Sequence, residues 1–366
     1  MEPQALRRTP LEDVHGALGA KMGAFGGWSM PIEYAGALAE HRAVRERVGL
    51  FDLSHLGKVD VDGPDAGAGL QRLLTNDLAR VAVGRAQYHL LLREDGGVAE
   101  DLIAYRLDAE RWFVVPNAAN TATACEAMVS VGLAPRPLEA WCFLGVQGPS
   151  SPAVIEAVAP GAASLPYFGC LETAFAGERL VVARTGYTGE RGYEVFGPSA
   201  IAEALWRALL GAGASHGIEP CGLAARDVLR LEMGYPLYGQ DLDPNHSPLE
   251  AGLERAVAMG KGDFRGRAAL ERQLRDGLPS RLRALVTDER RNIPRSHQVV
   301  SVGGRSAGEV TSGTFSPVLG RGIALAYLAP ADAVATGASV EIDVRGRPAT
   351  ARVVDLPFVA RSPRGD

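Results

Sequence analysis

The clearest alternation of hydrophobic and polar residues follows two runs, 88–93 and 98–107, on either side of a turn. The turn, Asp95-Gly96-Gly97, predicts a β-hairpin because glycine adopts the positive φ angles of tight strand reversals. A loop of two or four residues sets one register, whereas a three-residue loop would turn the incoming strand over. The pairs expected in the first register are Arg93 with Val98 and Tyr88 with Ile103.

This hairpin is predicted to place a carboxylate between two phenols. Side chains alternate between the faces of a strand, so Asp101 shares a face with Ile103 and Tyr105, and Tyr88 joins them from the partner strand. Such a face suits a flat, nitrogen-rich ligand. The other interpretation of this stretch alone is a solvated face that carries Asp101 as ordinary surface charge. Glu100 is predicted to lie on the opposite face.

The remaining patterns predict a mixture of helices and sheet. Strand, helix, three strands and helix follow one another over about 53–140, an order typical of antiparallel sheets with helices on one side. Asn117 is expected to cap the helix that begins after it. Apolar residues at helical spacing predict further helices. The helices expected are 36–48, 64–74, 118–131, 199–210 and 220–232.

Near residue 281 the sequence pattern changes, and a second kind of domain is predicted. From there the chain consists of alternating strands separated by glycine turns, which predicts a separate β-barrel or sandwich. We therefore expect a first region over 1–275, made of two intertwined α/β subdomains, and a second domain over 281–361. The subdomains are expected at roughly 53–140 and at 1–52 together with 141–275.

The length, net charge and cysteine spacing of the chain argue against several classes of protein. A chain of 366 residues suggests two or three domains, and a net charge of −5 argues against general nucleic-acid binding. No run reaches the roughly 18 to 20 apolar residues of a membrane span, and residues 1–10 lack the apolar core of a secretory signal. The cysteines show neither metal-ligand nor disulfide spacing, so we expect free thiols in a cytoplasmic protein. These are Cys125, Cys142, Cys170 and Cys221.

A second candidate carboxylate follows a glycine-rich turn. Glu194 begins an apolar strand, where a carboxylate is costly unless it has a partner. The two donors of an amino-pyrimidinone edge would supply one. The alternative is a strand-end glutamate paired with a surface arginine.

Two arginines on one face of a predicted helix also need an oppositely charged partner. Arg226 and Arg230 are four residues apart and repel each other, so an anion should compensate them, either in a structural salt bridge or in a bound ligand. Tyr235 and Tyr238 add aromatic surface near the helix end and are equally consistent with a plain core. His55, alone in a turn between strands, is interpreted as structural rather than catalytic.

A succession of motifs carries a family resemblance. In chain order these motifs are TPLEDVH, FGGWSMPIEY, EHRAVRERVGLFDLSHLGK, TNDL, GGVAEDLIAY, RTGYTGERGYE, PCGLAARDVLRLEMGYPLYGQDLD and TSGTFSPVLGRGIALAY. Together they resemble the glycine cleavage T-protein (aminomethyltransferase) family over about residues 9–359. The resemblance implies a folate-binding aminomethyltransferase fold, an α+β architecture with two ferredoxin-like α/β domains and a C-terminal β-barrel around a central channel. It further implies transfer of the aminomethyl-derived methylene group from the lipoyl arm of H protein to tetrahydrofolate. The products would be 5,10-methylenetetrahydrofolate, ammonia and dihydrolipoyl H protein.

The resemblance also implies roles for individual residues. The second acid of the family's Asp-Asp pair falls on Asp101 as the catalytic residue, and its companion is Glu100 here, which we expect to be tolerated on the opposite face. The family usually has an apolar residue where Pro116 stands and often methionine where Leu56 stands. The folate contacts implied are Tyr88, Tyr105, Tyr187, Glu194, Arg226 and Tyr235, with weaker cases at Leu56 and Asn117.

A lipoylated partner requires a docking surface. Arginines cluster where the last domain begins, in a patch suited to an acidic protein, although a solvated linker would have the same composition. The glycine cleavage P and L proteins are expected as indirect partners only, and no nucleic acid, membrane, metal or flavin is expected. The cluster comprises Arg281, Arg283, Arg290, Arg291 and Arg295.

Other folate-dependent activities of the same fold are the main alternatives. One is a demethylase of a methylated sulfur or nitrogen compound, and another is the folate half of an amine dehydrogenase, which is normally fused to a flavin domain. A third is a non-catalytic folate-binding iron–sulfur assembly factor. Members of that class carry a cysteine in the motif corresponding to 234–240, which has none here.

Overall fold

The protein is described here by a computed structural model that covers residues 5–331 and 334–364. Residues 1–4, within the predicted first region, and 332–333, within the predicted second domain, lie outside the described residues. In chain order the strands are β1 (Arg7–Arg8), β2 (Lys21–Phe25), β3 (Trp28–Glu33), β4 (Val48–Asp52), β5 (Val59–Asp62), β6 (Arg85–Leu92), β7 (Val98–Asp108), β8 (Arg111–Pro116), β9 (Arg136–Pro137), β10 (Trp141–Gln147), β11 (Cys170–Phe175), β12 (Glu178–Ala183), β13 (Gly192–Pro198), β14 (Ile218–Cys221), β15 (Arg281–Thr287), β16 (Val299–Val302), β17 (Arg305–Ser316), β18 (Arg321–Leu328), β19 (Ser339–Asp343) and β20 (Pro348–Val354). The α-helices are α1 (Glu12–Ala17), α2 (Ala37–Glu46), α3 (Ala66–Leu73), α4 (Thr121–Ser130), α5 (Ser151–Val158), α6 (Ala202–Gly213), α7 (Leu223–Glu232) and α8 (Arg267–Asp276).

A five-stranded antiparallel sheet in the order β6-β7-β8-β5-β9 carries the hairpin predicted at 88–107. Helices α3 and α4 cover one of its faces. Leu70 and Met128 from these helices are buried against Val61 and Val114 of the sheet. Helical spacing of apolar residues therefore produces one continuous core on this side.

A six-stranded sheet in the order β11-β12-β13-β10-β4-β14 forms the second layer. Its outer face is covered by α5 and α6, whose Val154 and Leu205 are fully buried. The inner face meets the first sheet through aromatic side chains, and the ring centroids of Phe113 and Phe196 are 5.0 Å apart. The two sheets are therefore packed against each other, and the cavity described below lies beside this aromatic contact.

The C-terminal strands form a closed barrel in the order β15-β18-β17-β16-β19-β20. Hydrogen bonds join it to α7: among them, Ser316 Oγ donates to Glu232 Oε1 over 2.6 Å, and Arg230 Nη2 donates to Ser312 Oγ over 2.8 Å. Helices combined with sheets and a closed C-terminal barrel confirm the predicted α+β class. Within the described ranges, no helix is long and apolar enough to cross a membrane.

The central hairpin follows the predicted register except at its tip. Tyr88 pairs with Ile103 as predicted, but the register shifts after Leu91, so that Leu92 rather than Arg93 pairs with Val98. The expected Arg93–Val98 pair is therefore wrong. An irregularity of one residue near the turn leaves the pairing farther along the strands unchanged.

The prediction that Asn117 caps the following helix is also wrong. Its side chain makes no capping hydrogen bond to the helix that starts after it. Instead, Asn117 Nδ2 donates to Glu100 Oε1 over 2.8 Å and to Asp101 Oδ1 over 2.7 Å. Two carboxylates on β7 bind its amide nitrogen and hold the side chain away from the first amides of the helix. The sequence around Asn117 does not indicate this.

Candidate functional site

A cavity of about 330 Å³ lies where the two sheets meet α7 and the loop that follows it. Its wall is largely apolar and carries a few polar groups, which is typical of small-molecule sites. Every site residue predicted from the sequence contributes to the lining: Leu56, Tyr88, Asp101, Tyr105, Asn117, Tyr187, Glu194, Arg226 and Tyr235. The sequence thus predicted a group of residues from five separate segments that the fold brings together.

Asp101 is held on both carboxylate oxygens. The Tyr88 hydroxyl donates to Oδ2 over 3.0 Å, and Asn117 Nδ2 donates to Oδ1 over 2.7 Å. Burial raises the pKa of Asp101 above its usual range, although these two hydrogen bonds oppose the shift. The carboxylate is therefore fixed in orientation and faces the cavity rather than bulk water.

Glu194 supplies a second buried carboxylate to the cavity. Thr185 Oγ1 donates to its Oε2, and the Tyr105 hydroxyl donates to the same oxygen over 3.3 Å. Among the described residues no arginine or lysine forms an ion pair with Glu194, so the predicted alternative of a surface salt bridge is wrong. Burial raises the pKa of this carboxyl group. Its Oε1 accepts no hydrogen bond from the described side chains, so it is available to a ligand donor.

The two arginines of α7 have different surroundings. Arg230 forms the structural salt bridges that were one of the predicted alternatives, to Asp241 at 2.6 Å and to Asp227 at 2.8 Å. Arg226 has no ion-pair partner among the described residues, and its guanidinium lies 4.5 Å from the ring centroid of Tyr187. Arg226 is thus a partly buried cation that lines the cavity, with no carboxylate at ion-pair distance in the described part of the chain.

Aromatic rings form the wall around these charges. Tyr187 and Tyr235 are stacked, with centroids 5.7 Å apart and an interplanar angle of 25°. The Tyr187 hydroxyl donates to the Pro236 carbonyl oxygen over 2.5 Å, which fixes its ring. A flat heterocycle that enters the cavity would contact rigid phenol rings.

His55 lies outside the cavity lining and is 2% exposed. Burial, together with the positive charge of Arg226, lowers its pKa to about 3, so the imidazole is neutral near pH 7. In the described part of the chain no group of three or more His, Cys, Asp or Glu side chains is arranged to hold a metal ion.

Several lining residues were not predicted. Tyr167 and Phe168 come from the loop before β11, and Leu253 comes from the segment after α7. Thr185, which donates a hydrogen bond to Glu194, stands in the glycine-rich turn that precedes this residue. The position of Thr185, two residues before Tyr187, was the one feature of the sequence that could have indicated its role. The loop residues reach the cavity only through the tertiary fold.

Comparisons with known proteins agree over nearly the whole chain. Residues 11–261 match the model of the GCVT N-terminal domain, and residues 281–360 match that of the glycine cleavage T-protein C-terminal barrel domain. An aminomethyltransferase of Frankia alni is 48% identical over 371 residues, which cover 98% of this chain and 99% of the relative. One of Symbiobacterium thermophilum is 45% identical over 374 residues, with 98% and 99% covered.

A solved structure supports the same assignment. The glycine cleavage system aminomethyltransferase T from Bartonella henselae is 35% identical, with a TM-score of 0.91 that covers 98% of this chain and 99% of that one. Fold and relatives together define an enzyme of the aminomethyltransferase class. Within that class, the chain belongs to the glycine cleavage T-protein family.

Proposed function

We propose that the cavity binds tetrahydrofolate as a co-substrate and that the enzyme transfers to it the aminomethyl-derived methylene group carried by the lipoyl arm of H protein. The observation that supports this most is the Asp101 carboxylate, fixed by Tyr88 and Asn117 at the wall of an aromatic cavity. The products are 5,10-methylenetetrahydrofolate, ammonia and dihydrolipoyl H protein. The reaction belongs to glycine catabolism, and we propose the cytoplasm as its location.

The polar groups of the cavity suit the pterin portion of the proposed ligand. The amino-pyrimidinone edge of a reduced pterin presents adjacent donors, and Glu194 has an acceptor oxygen free for them. Arg226 interacts electrostatically with Glu194 and has no ion-pair partner among the described residues, so it can donate to an acceptor atom of the ligand. The stacked rings of Tyr187 and Tyr235 suit its flat heterocycle.

The exchange of bonds explains why a carboxylate is needed. The methylene carbon loses its bonds to sulfur and to the amine nitrogen and gains bonds to two folate nitrogens. Sulfur keeps its electron pair and takes a proton, ammonia leaves, and the folate nitrogens give up their protons. Positive charge develops at the carbon during this exchange. Asp101 stabilises that charge electrostatically and accepts or returns a proton at the reacting nitrogen.

The lipoylated partner is proposed to dock on Arg290 and Arg291. Both are exposed, although Arg291 pairs with Glu289 at 3.0 Å and the Arg290 guanidinium lies 5.8 Å from the Phe315 ring centroid. Two other arginines of the cluster bind carbonyl oxygens of the protein, Arg283 that of Ala331 and Arg295 that of Gly313. Arg281 pairs with Glu254. An exposed pair of cations is suited to steering an acidic protein surface. The P and L proteins then act on the same H protein and meet this enzyme only indirectly.

The function is tested with purified protein, aminomethyl-loaded H protein and tetrahydrofolate. We expect ammonia and methylenetetrahydrofolate in equal amounts. Controls omit tetrahydrofolate or use H protein without its lipoyl group, and neither should give methylenetetrahydrofolate. Absence of both products in the complete mixture would refute the proposal.

A further inference from the structure

Glu100, the neighbour of Asp101 on β7, points to the opposite face of the sheet but is not isolated from the site. Its side chain is fully buried, and among the described residues no arginine, lysine or histidine pairs with it. Its carboxyl group is held by neutral donors only. The Asn117 backbone N–H donates to Oε1 over 2.6 Å, and Asn120 Nδ2 donates to Oε2. A buried carboxyl group without a cation is costly, so this arrangement calls for an explanation.

Asn117 connects this carboxyl group to the cavity. Its amide nitrogen donates one hydrogen to Glu100 Oε1 over 2.8 Å and lies 2.7 Å from Asp101 Oδ1. An amide NH₂ has two hydrogens, so both carboxyl groups can be satisfied at once. The amide oxygen cannot replace the nitrogen here, since it would face Asp101 Oδ1 and the Glu100 oxygen that already accepts the Asn117 backbone N–H. Nδ2 also lies 3.2 Å from the Asp101 main-chain carbonyl oxygen, so Glu100 and Asp101 together determine which way the Asn117 side chain points.

The backbone fixes the geometry of this bridge. β8 ends at Pro116, which pairs with Leu102 of β7, and Asn117 is the first residue beyond it. This places Asn117 at the edge of β7, between the two faces on which Glu100 and Asp101 lie. A side chain at this one position can reach both faces.

We propose that Glu100 is a positioning residue that acts through Asn117 to hold the Asp101 carboxylate in its reactive orientation. This inference rests on the function proposed above. It goes beyond the expectation that glutamate is merely tolerated at position 100. Removing the acceptor at position 100 leaves the Asn117 amide held only from the Asp101 side, at Oδ1 and at the main-chain oxygen. The amide then has more freedom to move, and the one hydrogen bond to the Asp101 carboxylate that does not depend on it comes from Tyr88.

The pKa of Glu100 is consistent with its position beside Asp101 and Asn117. Burial, with the negative charge of Asp101 beside it, raises the pKa of Glu100 to about 8. The other titratable groups near Glu100 among the described residues are the phenols of Tyr88 and Tyr238, and Asn117 and Asn120 are neutral. Near neutral pH the Glu100 carboxyl group therefore stays largely uncharged, which limits its charge repulsion with Asp101.

The test uses Glu100→Met, which keeps the volume but removes the acceptor, and Glu100→Gln, which keeps an acceptor oxygen for Asn117. We expect Glu100→Met to lower kcat by about 10- to 100-fold, with the KM for tetrahydrofolate changed less than about threefold, because misorientation of a catalytic group affects the rate rather than binding. Glu100→Gln should restore kcat to within about fivefold of the wild type. Glu110→Gln, at an exposed turn, is the matched control.

A double-mutant cycle separates positioning from a general effect on structure. If Glu100 acts through Asn117, Glu100→Met should have little further effect in an Asn117→Ala background. A full, additive loss in that background would overturn the inference. Unchanged kcat in Glu100→Met would also overturn it, as would an equal loss in Glu100→Gln and Glu100→Met.

Two further outcomes have a defined meaning. Should Glu100→Met fail to fold, Asn117→Ser replaces it, with the same expected loss of kcat at a retained KM, and unchanged kcat in that variant refutes the inference. An inactive wild-type enzyme would refute the proposed function itself. An active wild type with unaffected variants would refute only the role of Glu100.

Discussion

Replacing Asp101 with asparagine tests the chemistry with little change in shape. The new amide can accept from Asn117 Nδ2 with its oxygen and donate to the Tyr88 hydroxyl oxygen with its nitrogen. Both contacts of the native carboxylate, at 2.7 and 3.0 Å, thus have a counterpart. We therefore expect the protein to fold normally and to bind tetrahydrofolate within about threefold of the wild-type Kd.

The expected loss of rate in Asp101→Asn is estimated from the loss of the negative charge at position 101. Two unit charges about 4 Å apart interact by about 4 kcal/mol at the effective dielectric constant of about 20 found near protein surfaces. A half-developed charge in the transition state would then lose about 2 kcal/mol, or roughly 30-fold in rate. Loss of the proton acceptor adds to this, since general base catalysis contributes typically about 10²-fold or more. We expect turnover to fall by at least about 10²-fold.

The assay is ammonia release from aminomethyl-loaded H protein at saturating tetrahydrofolate, with binding measured separately by fluorescence titration. Asp108→Asn, at the exposed end of the same strand, is the matched control and should retain full turnover. Turnover of Asp101→Asn within about threefold of the wild type, with binding intact, would refute the role of this carboxylate.

Three further predictions follow from the same geometry. Glu194→Gln should raise the Kd for tetrahydrofolate by about 10- to 100-fold, because a charge-assisted pair of hydrogen bonds is lost, and an unchanged Kd in a fluorescence titration would contradict pterin binding at this residue. Reversing Arg290 and Arg291 to glutamate should raise the KM for H protein but not for tetrahydrofolate, with Arg207→Glu on α6 as the control, and two unchanged KM values would reject docking there. The pKa of Glu100 is raised from 4.5 to about 8 in the folded protein. Between about pH 5 and about pH 8 the unfolded chain therefore loses a proton that the folded protein keeps, so the stability of the wild type falls as the pH rises. The Tm of Glu100→Gln relative to the wild type should therefore increase over that range, and a constant difference would be inconsistent with the raised pKa.

Strand alternation predicted which side chains share the Asp101 face because it is a local property. Two-residue periodicity places Asp101 and Tyr105 on one face whatever the rest of the chain does, and the Tyr88–Ile103 pairing needed only the hairpin turn. The one-residue shift near Leu92 had no sequence signal, since many residues fit such an irregularity. It lies beyond Asp101 and leaves the predicted face intact.

Local sequence patterns could not predict contacts between segments that are distant in the chain. Asn117 has the sequence context of a helix cap, and only the approach of Glu100 from β7 gives it another partner. The two arginines of α7 look equivalent in sequence. Asp241 lies 11 residues after Arg230 and pairs with it, whereas Arg226 has no such partner in the described segments. Burial and pairing at such positions are decided by tertiary packing.

A crystal structure of the enzyme with bound tetrahydrofolate tests the central claim most directly. We expect the pterin in the cavity, with its amino-pyrimidinone edge on Glu194 and its reacting nitrogens near Asp101, within about 3.2 Å or one bridging water. A pterin bound outside this cavity, or with its reacting nitrogens turned away from Asp101, would contradict the proposed mechanism.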